Sequence, residues 1–187
     1  MKLLVHSCCA PCVIAVLEAL KRDGLELSLF FYNPNIQPFL EFRKRIKGMR
    51  VLLQREKLAA EIIEEFGFDT YAREIYDPDS QRRCEKCYRV RLTRTARHAA
   101  EQGFPAFTTT LLGSTRQNHE LIKRVGRETA AEAGVQFFER DFRPFSEAAH
   151  EEARRRGIYL QAYCGCCISE YERYRHTTRE VYLGGES

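Results

Sequence analysis

The sequence has no apolar run that approaches the roughly 20 residues needed to cross a membrane. Its N-terminus lacks the successive charged, apolar and cleavage-site regions of a secretory signal. It also has no internal repeat, no low-complexity segment and no glycine-rich phosphate loop, and the last absence argues against the common nucleotide-dependent enzymes. These absences lead us to expect a cytoplasmic protein with a single domain over residues 1–187.

Cysteine, by contrast, is abundant, with eight in 187 residues. Glutathione and thioredoxin keep cytosolic thiols reduced, so a framework of structural disulfides is not expected. Cysteines in such a protein more often bind metal or carry out redox chemistry. The composition therefore predicts a metal or redox site.

Three of the cysteines stand where a strand is followed by a helix. The run CCAPC at residues 8–12 comes after the apolar residues 3–5 and before a helical pattern. The amide groups and dipole at a helix N-terminus stabilise thiolates, and Pro11 suits the start of a helix. We expect these thiols to form one side of the site.

Strand and helix patterns alternate along the whole chain, which predicts an α/β fold with a parallel sheet flanked by helices. The predicted strands are 2–6, 27–32, 70–75, 106–111 and 135–139. The predicted helices are 13–22, 39–66 with an interruption near Gly48, 82–102, 118–133, 146–156 and 168–174, the last followed by frayed residues after Gly184. Sites in such folds lie at the carboxyl ends of the strands, where we place the cysteine turn and the loops at Asn33, Gly113 and Asp141.

Adjacent cysteines favour an iron–sulfur cluster over a single zinc ion. Side chains at neighbouring positions diverge, whereas the corners of a cuboidal cluster are several ångströms apart. Cys84 and Cys87, three residues apart on a predicted helix, share one face. We therefore predict a cluster ligated by Cys8, Cys9, Cys84 and Cys87.

Cys164 and Cys166 form a second pair beside that cluster. The pair could hold a second metal, or it could be a redox-active disulfide, because Gly165 allows so short a loop to bend. Cys12 could serve either group, and Cys167 has no assigned role.

Positive charge is concentrated in two segments, although the net charge is only +4. Residues 41–57 and 82–97 each contain seven lysines and arginines, against two glutamates and one glutamate, respectively. Such segments attract polyphosphate because bound phosphates release their counterions. The alternative interpretation is a solvated helix face.

Six motifs spread over nearly the whole chain together resemble the QueH-type epoxyqueuosine reductases, the first and last being the most specific. They are HSCCAPC at 6–12, YNPNI at 32–36, the dipeptides Arg83-Cys84, Cys87-Tyr88 and Arg91-Leu92, TTTL at 108–111, DFR at 141–143 and QAYCGC at 161–166. The resemblance implies a HUP-like (Rossmann-like) fold with a C-terminal helical, cysteine-containing segment. It also implies the last step of queuosine synthesis, in which epoxyqueuosine in a tRNA anticodon loop is reduced to queuosine.

The resemblance further implies a [4Fe-4S] cluster on the positions matching Cys8, Cys9, Cys84 and Cys87. The pair matching Cys164 and Cys166 is either a redox-active disulfide in that family or a pair of ligands to a neighbouring iron. Some members have aspartate in place of Cys12 as a further ligand to that iron. A third thiolate makes this site softer, and zinc would also accept it.

Removing an epoxide oxygen requires two electrons, protons and a Lewis acid. We expect Cys12, Cys164 and Cys166 to act catalytically, through a possible second iron or as a dithiol, while the cluster relays electrons from an external donor. The candidate proton sources are His6, Tyr32, Tyr163 and Asp141; the alternatives are a core histidine for His6 and a structural ion pair of Asp141 with Arg143. For the tRNA anticodon loop, the candidate phosphate contacts are Arg43, Lys44, Arg45, Arg82, Arg83 and Arg89, and the candidate stacking residues are Tyr32, Phe39 and Phe42. For the two phenylalanines the alternative is core packing.

Two other functions are compatible with these cysteines. One is a zinc-binding module that holds RNA or protein, which would lack the broad absorbance near about 400 nm of an iron–sulfur cluster. The other is a thiol-based tRNA-modifying enzyme with Cys12 or Cys164 as nucleophile.

Overall fold

A computed structural model describes residues 1–177 of the protein. Five strands form one all-parallel sheet in the order β3-β2-β1-β4-β5. The strands are β1 (Lys2–His6), β2 (Glu26–Phe31), β3 (Ala59–Ile62), β4 (Ala106–Thr109) and β5 (Gln136–Phe137). The central strand β1 is apolar on both faces, with Val5 paired to Leu29 of β2 and to Thr108 of β4, as a doubly covered parallel sheet requires.

Helices connect the strands and cover the sheet. They are α1 (Ala10–Leu20), α2 (Phe39–Glu56), α3 (Phe68–Thr70), which continues as a π-helical segment (Tyr71–Ile75), α4 (Ser80–Glu101), α5 (His119–Ala133), α6 (Ser146–Arg155) and α7 (Cys167–Tyr174). Right-handed crossovers place α1 and α2 on one face and α4 and α5 on the other. Consistent with this, α1 contacts α2, and α4 contacts α5.

Side-chain caps explain where helices α4 and α5 begin. Asp79 accepts a hydrogen bond from the Arg82 amide (2.8 Å) at the start of α4, and Asn118 accepts one from the Leu121 amide (3.0 Å) at the start of α5. Gly134, at φ +72°, ends α5 in the left-handed conformation. The predicted α/β fold with a parallel sheet is therefore confirmed, and so are these two helices to within a few residues.

The segment between residues 57 and 75 differs from the prediction. Helix α2 passes through Gly48 without a break and ends at Glu56, where Lys57 adopts a left-handed conformation (φ 53°). Residues Ala59–Ile62 then pair with Ser28–Phe31 as an edge strand, although their composition suits a helix. The predicted strand at 70–75 is instead helical, because a short apolar run does not distinguish a strand from a buried helical turn.

The carboxyl edge of the sheet gathers the four predicted loops. From β1 the chain passes to β2 and β3 on one side, and it then crosses back to β4 and β5 on the other side of β1. Ligands in open α/β sheets bind outside such a switch point. β4 ends at Thr109, and residues Thr110–Gly113 form a 3-10 helix.

Within residues 1–177, no helix is both long and apolar enough to span a membrane. The frayed residues predicted after Gly184 lie outside the described residues.

Candidate metal and redox site

The cysteine turn is assembled by the strand-to-helix connection that the sequence predicts. Cys9 caps α1, and its Sγ accepts a hydrogen bond from the Cys12 amide (3.3 Å). Cys8 is held by the 3-10 helix that follows β4, because its amide donates to Thr110 Oγ1 (3.2 Å). The sulfur atoms of Cys8, Cys9 and Cys12 lie within 4.8 Å of one another. This group of thiols could hold a metal ion.

Cys9 and Cys12 are joined by a disulfide, a pairing that the sequence analysis did not predict. The other six cysteines are free, including Cys164 and Cys166. Gln161 Nε2 donates to Cys9 Sγ (2.9 Å) and to Cys12 Sγ (3.5 Å). Thiolates, not disulfide sulfurs, are metal ligands, so a two-electron reduction must precede metal binding by this pair.

Cys84 and Cys87 stand near the start of α4, on the opposite side of the site. Cys84 is exposed, whereas Cys87 is buried against Tyr71 and Ile75, with Cys166 packed beside them. The first residue of the C-terminal pair, Cys164, accepts a hydrogen bond from Gln117 Nε2 (3.4 Å). Thiols from three separate parts of the chain therefore contribute to this end of the sheet: the cysteine turn, the start of α4 and the C-terminal loop.

Desolvation raises the pKa of several free thiols, and neighbouring thiols add to the effect. Desolvation by the surrounding protein, followed by the nearby Cys164 thiolate, raises the pKa of Cys84 to about 11. The pKa of Cys164 is raised to about 12, mainly by desolvation and then by Cys87. A bound cation reverses this effect by stabilising the thiolates. Without a bound cation, both thiols are therefore protonated near pH 7.

Arg91 links the two groups of thiols. Its Nη1 donates to Cys87 Sγ (3.7 Å), and its Nη2 donates to Asn33 Oδ1 (2.7 Å). Asn33 in turn donates to the carbonyl of Ser7 (2.9 Å), which precedes Cys8. Arg91 is 1% exposed and forms no ion pair with a carboxylate of residues 1–177. Burial lowers the pKa of Arg91, whereas interaction with the deprotonated forms of Cys87, Cys8 and Cys164 raises it, and the net change is a rise.

The loop that carries Cys164 and Cys166 is held from a distant helix. Arg45 of α2, 2% exposed, donates from Nη1 to the Cys164 carbonyl and from Nη2 to the Tyr163 carbonyl, both at 2.9 Å. Its Nε donates to Glu41 Oε1 (2.7 Å), and Glu41 also accepts a hydrogen bond from the Tyr159 hydroxyl. Gly165 adopts φ +146°, and a Cβ there would lie 2.9 Å from Asn35 Nδ2. Only glycine fits this position without strain.

Several predicted tRNA contacts are wrong. Arg45 holds the cysteine loop, and Arg83 is buried, donating to the Asp77 carbonyl (3.1 Å) and pairing with Glu172. Phe42 belongs to the core. The sequence pattern did not distinguish them from exposed residues because their helices carry cations on both the inner and the outer faces.

Two candidate proton sources are already engaged. His6 is fully buried, with Nδ1 hydrogen-bonded to Thr109 Oγ1 (2.8 Å), and burial followed by the charge of Arg91 lowers its pKa well below the usual value. Asp141 pairs with Arg143, whose hydrogen bonds lower the pKa of Asp141 to about 2. His6 is therefore neutral and Asp141 is ionised near pH 7, so neither is a ready acid.

Several residues of the site had no role predicted from the sequence, although Asn35, Arg91 and Gln161 fall within the motifs. These residues can be recognised in the structure because each has a buried side-chain nitrogen or oxygen atom that lacks a hydrogen-bond partner. These atoms are Arg91 Nε, Gln117 Oε1, Gln161 Oε1, Asn35 Oδ1 and Gln37 Nε2. Buried polar atoms without partners are rare, and a bound group or water commonly satisfies them. Their concentration around the thiols indicates a site that receives a polar ligand.

Comparison with known proteins agrees with these observations. The family described as "Epoxyqueuosine reductase QueH" matches residues 3–172. The epoxyqueuosine reductase QueH of Dehalococcoides mccartyi is 34% identical over 175 residues, covering 92% of this chain and 94% of that protein. That of Thermotoga maritima is 34% identical over 186 residues, covering 91% of each. Among solved structures, the zinc-inhibited form of teicoplanin deacetylase Orf2 aligns with a TM-score of 0.48 and 12% identity, over 73% of this chain and 66% of that chain.

Proposed function

The chain belongs to the epoxyqueuosine reductase QueH family, and we propose that it reduces epoxyqueuosine in tRNA to queuosine with a [4Fe-4S] cluster ligated by Cys8, Cys9, Cys84 and Cys87. In this reaction both carbon–oxygen bonds of the epoxide break and an alkene forms. The oxygen leaves as water, which consumes two electrons and two protons. The electrons come from an external one-electron donor, and the reaction takes place in the cytoplasm, within one domain.

The buried, uncompensated Arg91 is the observation that carries the proposal. An isolated buried charge costs several kcal/mol, and a compensating anion must offset this cost. The groups placed to do so are thiolates from the cysteine turn and from α4. These are the two parts of the chain that would ligate the cluster. Arg91 would thus balance the net negative charge of a cluster with four thiolate ligands.

The donor set fits that cluster when the Cys9–Cys12 disulfide is reduced. Thiolates are the ligands that iron–sulfur clusters require. Cys8 and Cys9 already lie within 4.8 Å of each other, and Arg91 connects Cys87 to the cysteine turn through Asn33. When bound, the cluster supplies electrons one at a time.

Cys12, Cys164 and Cys166 are the residues we assign to the catalytic step. They would hold a second mononuclear iron, which would supply Lewis-acid polarisation of the epoxide oxygen. In the alternative, Cys164 and Cys166 act as a dithiol that is oxidised to a disulfide. Arg45 positions their loop in either case.

Two amides would orient the substrate beside these thiols. Gln117 and Gln161 each donate from Nε2 to a cysteine sulfur, and each has a buried Oε1 without a partner. These oxygen atoms are free to accept hydrogen bonds from hydroxyl groups of the substrate. Because a buried polar atom without a partner is costly, such bonds favour the correctly placed substrate.

The decisive test is anaerobic analysis of iron and sulfide together with turnover of tRNA that carries epoxyqueuosine. We expect bound iron and sulfide, broad absorbance near about 400 nm, and conversion to queuosine. Cys84→Ala should abolish the bound iron and sulfide, the absorbance and the conversion to queuosine. Cys167→Ala is the matched control, because Cys167 is exposed and has no assigned role.

Bound zinc without iron would support a zinc-binding module instead. Full activity in the Cys84→Ala variant would contradict the ligand assignment.

A further inference from the structure

An open cleft lies beside the site, between α4 and the π-helical segment. Its volume is about 390 Å³, and its lining includes Tyr32, Glu74, Arg89, Arg94 and Arg97. We call this the arginine cleft. Its charge is unbalanced, with three arginines and one glutamate. A comparable cleft of about 430 Å³ between α4 and α5 is balanced, because Arg82 and Arg124 there face Asp79 and Glu85.

The cations of the arginine cleft are only partly neutralised. Arg89 pairs with Glu128 and Glu132 of α5. Arg94 makes a contact of 3.4 Å with Glu101 and lies 5.7 Å from the ring centroid of Phe30. Arg97 is exposed and pairs with no carboxylate of residues 1–177. Hydrogen-bond donors of Arg94 and Arg97 are therefore available to an anion.

The arginine cleft adjoins the thiol site. Tyr32 lines it and is followed directly by Asn33, the residue that connects Arg91 to the cysteine turn. Val90, also in the lining, packs against the buried group that includes Cys87, together with Cys166. A strand of nucleic acid whose reacting base enters the thiol site would therefore bring its neighbouring backbone to this cleft.

We propose that the arginine cleft binds backbone phosphates of the anticodon-loop nucleotides next to the modified base, with Arg94 and Arg97 as the main contacts and the Tyr32 ring as a stacking surface. This inference rests on the proposed function. Single-stranded RNA is recognised by such a combination of arginine, phosphate and aromatic stacking. Among the arginines proposed from sequence, Arg89 lies here, whereas Arg94 and Arg97 were not singled out.

The test measures binding of an anticodon stem-loop carrying epoxyqueuosine over a range of chloride concentrations. Each phosphate contact on single-stranded nucleic acid contributes about −0.7 to the slope of log K against log salt. The double variant Arg94→Gln and Arg97→Gln should bind at least about tenfold more weakly and show a slope shallower by about 1.4. The milder Arg97→Gln variant, at an exposed position, should change the slope by about 0.7.

The matched control is Lys21→Gln with Arg22→Gln. It removes the same charge from exposed positions that precede β2, at the opposite edge of the sheet. Its slope and affinity should match those of the wild type. All variants should contain wild-type amounts of iron, and the control should also turn over at the wild-type rate.

The possible failures are distinguishable. If the Arg94 and Arg97 variants keep the wild-type slope while the wild type reduces the substrate, the arginine cleft is not the RNA contact and the function stands. If the wild type reduces no epoxyqueuosine, the function itself is wrong. Inorganic phosphate should compete no better than chloride of equal ionic strength. Stronger competition that disappears in the variants would assign the cleft to a free anion and overturn the proposal.

Discussion

Two thiol-bearing segments meet at the site, and they are held in different ways. The cysteine turn at residues 8–12 is positioned mostly by its own backbone, as the end of β1 and the cap of α1. The loop at residues 163–166 has local support only at its end, where Cys166 caps α7 by accepting a hydrogen bond from the Ser169 amide (3.4 Å). It is placed by Arg45 and Gln37, which are more than a hundred residues earlier in the chain.

The cysteine turn is therefore positioned mainly by local structure, and the C-terminal loop mainly by contacts with distant residues. A strand-to-helix connection brings thiols close together wherever it forms, because its geometry is local. A loop held by a buried guanidinium keeps its shape only while the rest of the fold is intact. We therefore expect substitutions near the turn to affect chemistry more than stability, and substitutions around the loop to affect both.

The largest effect is expected from Arg45→Ala. The change leaves Glu41 buried without its partner and frees the Tyr163 and Cys164 carbonyls. Removing one member of a buried ion pair costs about 3–5 kcal/mol. We expect that loss of unfolding free energy in urea denaturation, together with loss of activity.

Arg43→Ala, an exposed position two residues away, should change the unfolding free energy by no more than about 0.5 kcal/mol. The double variant Glu41→Gln and Arg45→Met should recover part of the stability but not the activity. Recovery of both would mean that Arg45 acts only on stability.

Gly165→Ala should have the next largest effect. The substitution introduces a Cβ that meets Asn35 Nδ2 at 2.9 Å, at a φ of +146°. We expect about 1–3 kcal/mol of lost stability and a displaced cysteine pair, seen as lost activity and as changed alkylation of Cys164.

Gly157→Ala is the control, since its φ is +64° but nothing lies within 4 Å of the added methyl. It should cost about 1 kcal/mol and leave activity unchanged. Equal costs at the two positions would show that close approach at Gly165 is unimportant.

Cys9→Ser tests the cysteine turn, the locally positioned segment. Serine keeps a side-chain cap for α1 but removes the disulfide and the proposed ligand. Under reducing conditions we expect nearly unchanged thermal stability but loss of the absorbance near about 400 nm. Cys9→Ala should be about 1 kcal/mol less stable because the cap is lost as well. A cluster of normal iron content in Cys9→Ser would exclude Cys9 as a ligand.

The smallest effect is expected from Asp77→Asn, just before α4, the helix that carries Cys84. Hydrogen bonds from Lys86 and from the Asp79 amide lower the pKa of Asp77 to about 2, below its ordinary value of 3.8. The stability that Asp77 contributes is therefore complete above pH 3.8 and is lost as the pH falls towards about 2. Urea midpoints at pH 7, 4 and 2.5 should fall less steeply for Asp77→Asn than for the wild type. Parallel curves would contradict this account.

Periodicity predicted best where local pattern and tertiary environment agree. β1 is a short apolar run and α5 has a clear cap and apolar stripe, so both were predicted closely. The segment 57–75 was wrong because Ala59–Ile62 becomes a strand only by pairing with the exposed edge of β2. Arg45 and Arg83 were wrongly placed at the surface. The i,i+4 pair of Glu41 and Arg45 does not by itself reveal that both residues are buried, and Glu172, the partner of Arg83, is brought close only by the fold.

The sequence by itself determined the α/β class, the cysteine turn and the membership of its thiols in one site. These follow from hydrophobic period, helix capping and residue spacing, which act over a few residues. The tertiary structure alone decided that Arg91 lies between the two groups of thiols, that Arg45 holds the C-terminal loop, and that Arg94 and Arg97 line a cleft with unbalanced charge. A charged side chain carries no local mark of its burial. Its role depends on which distant groups desolvate it and which groups compensate its charge.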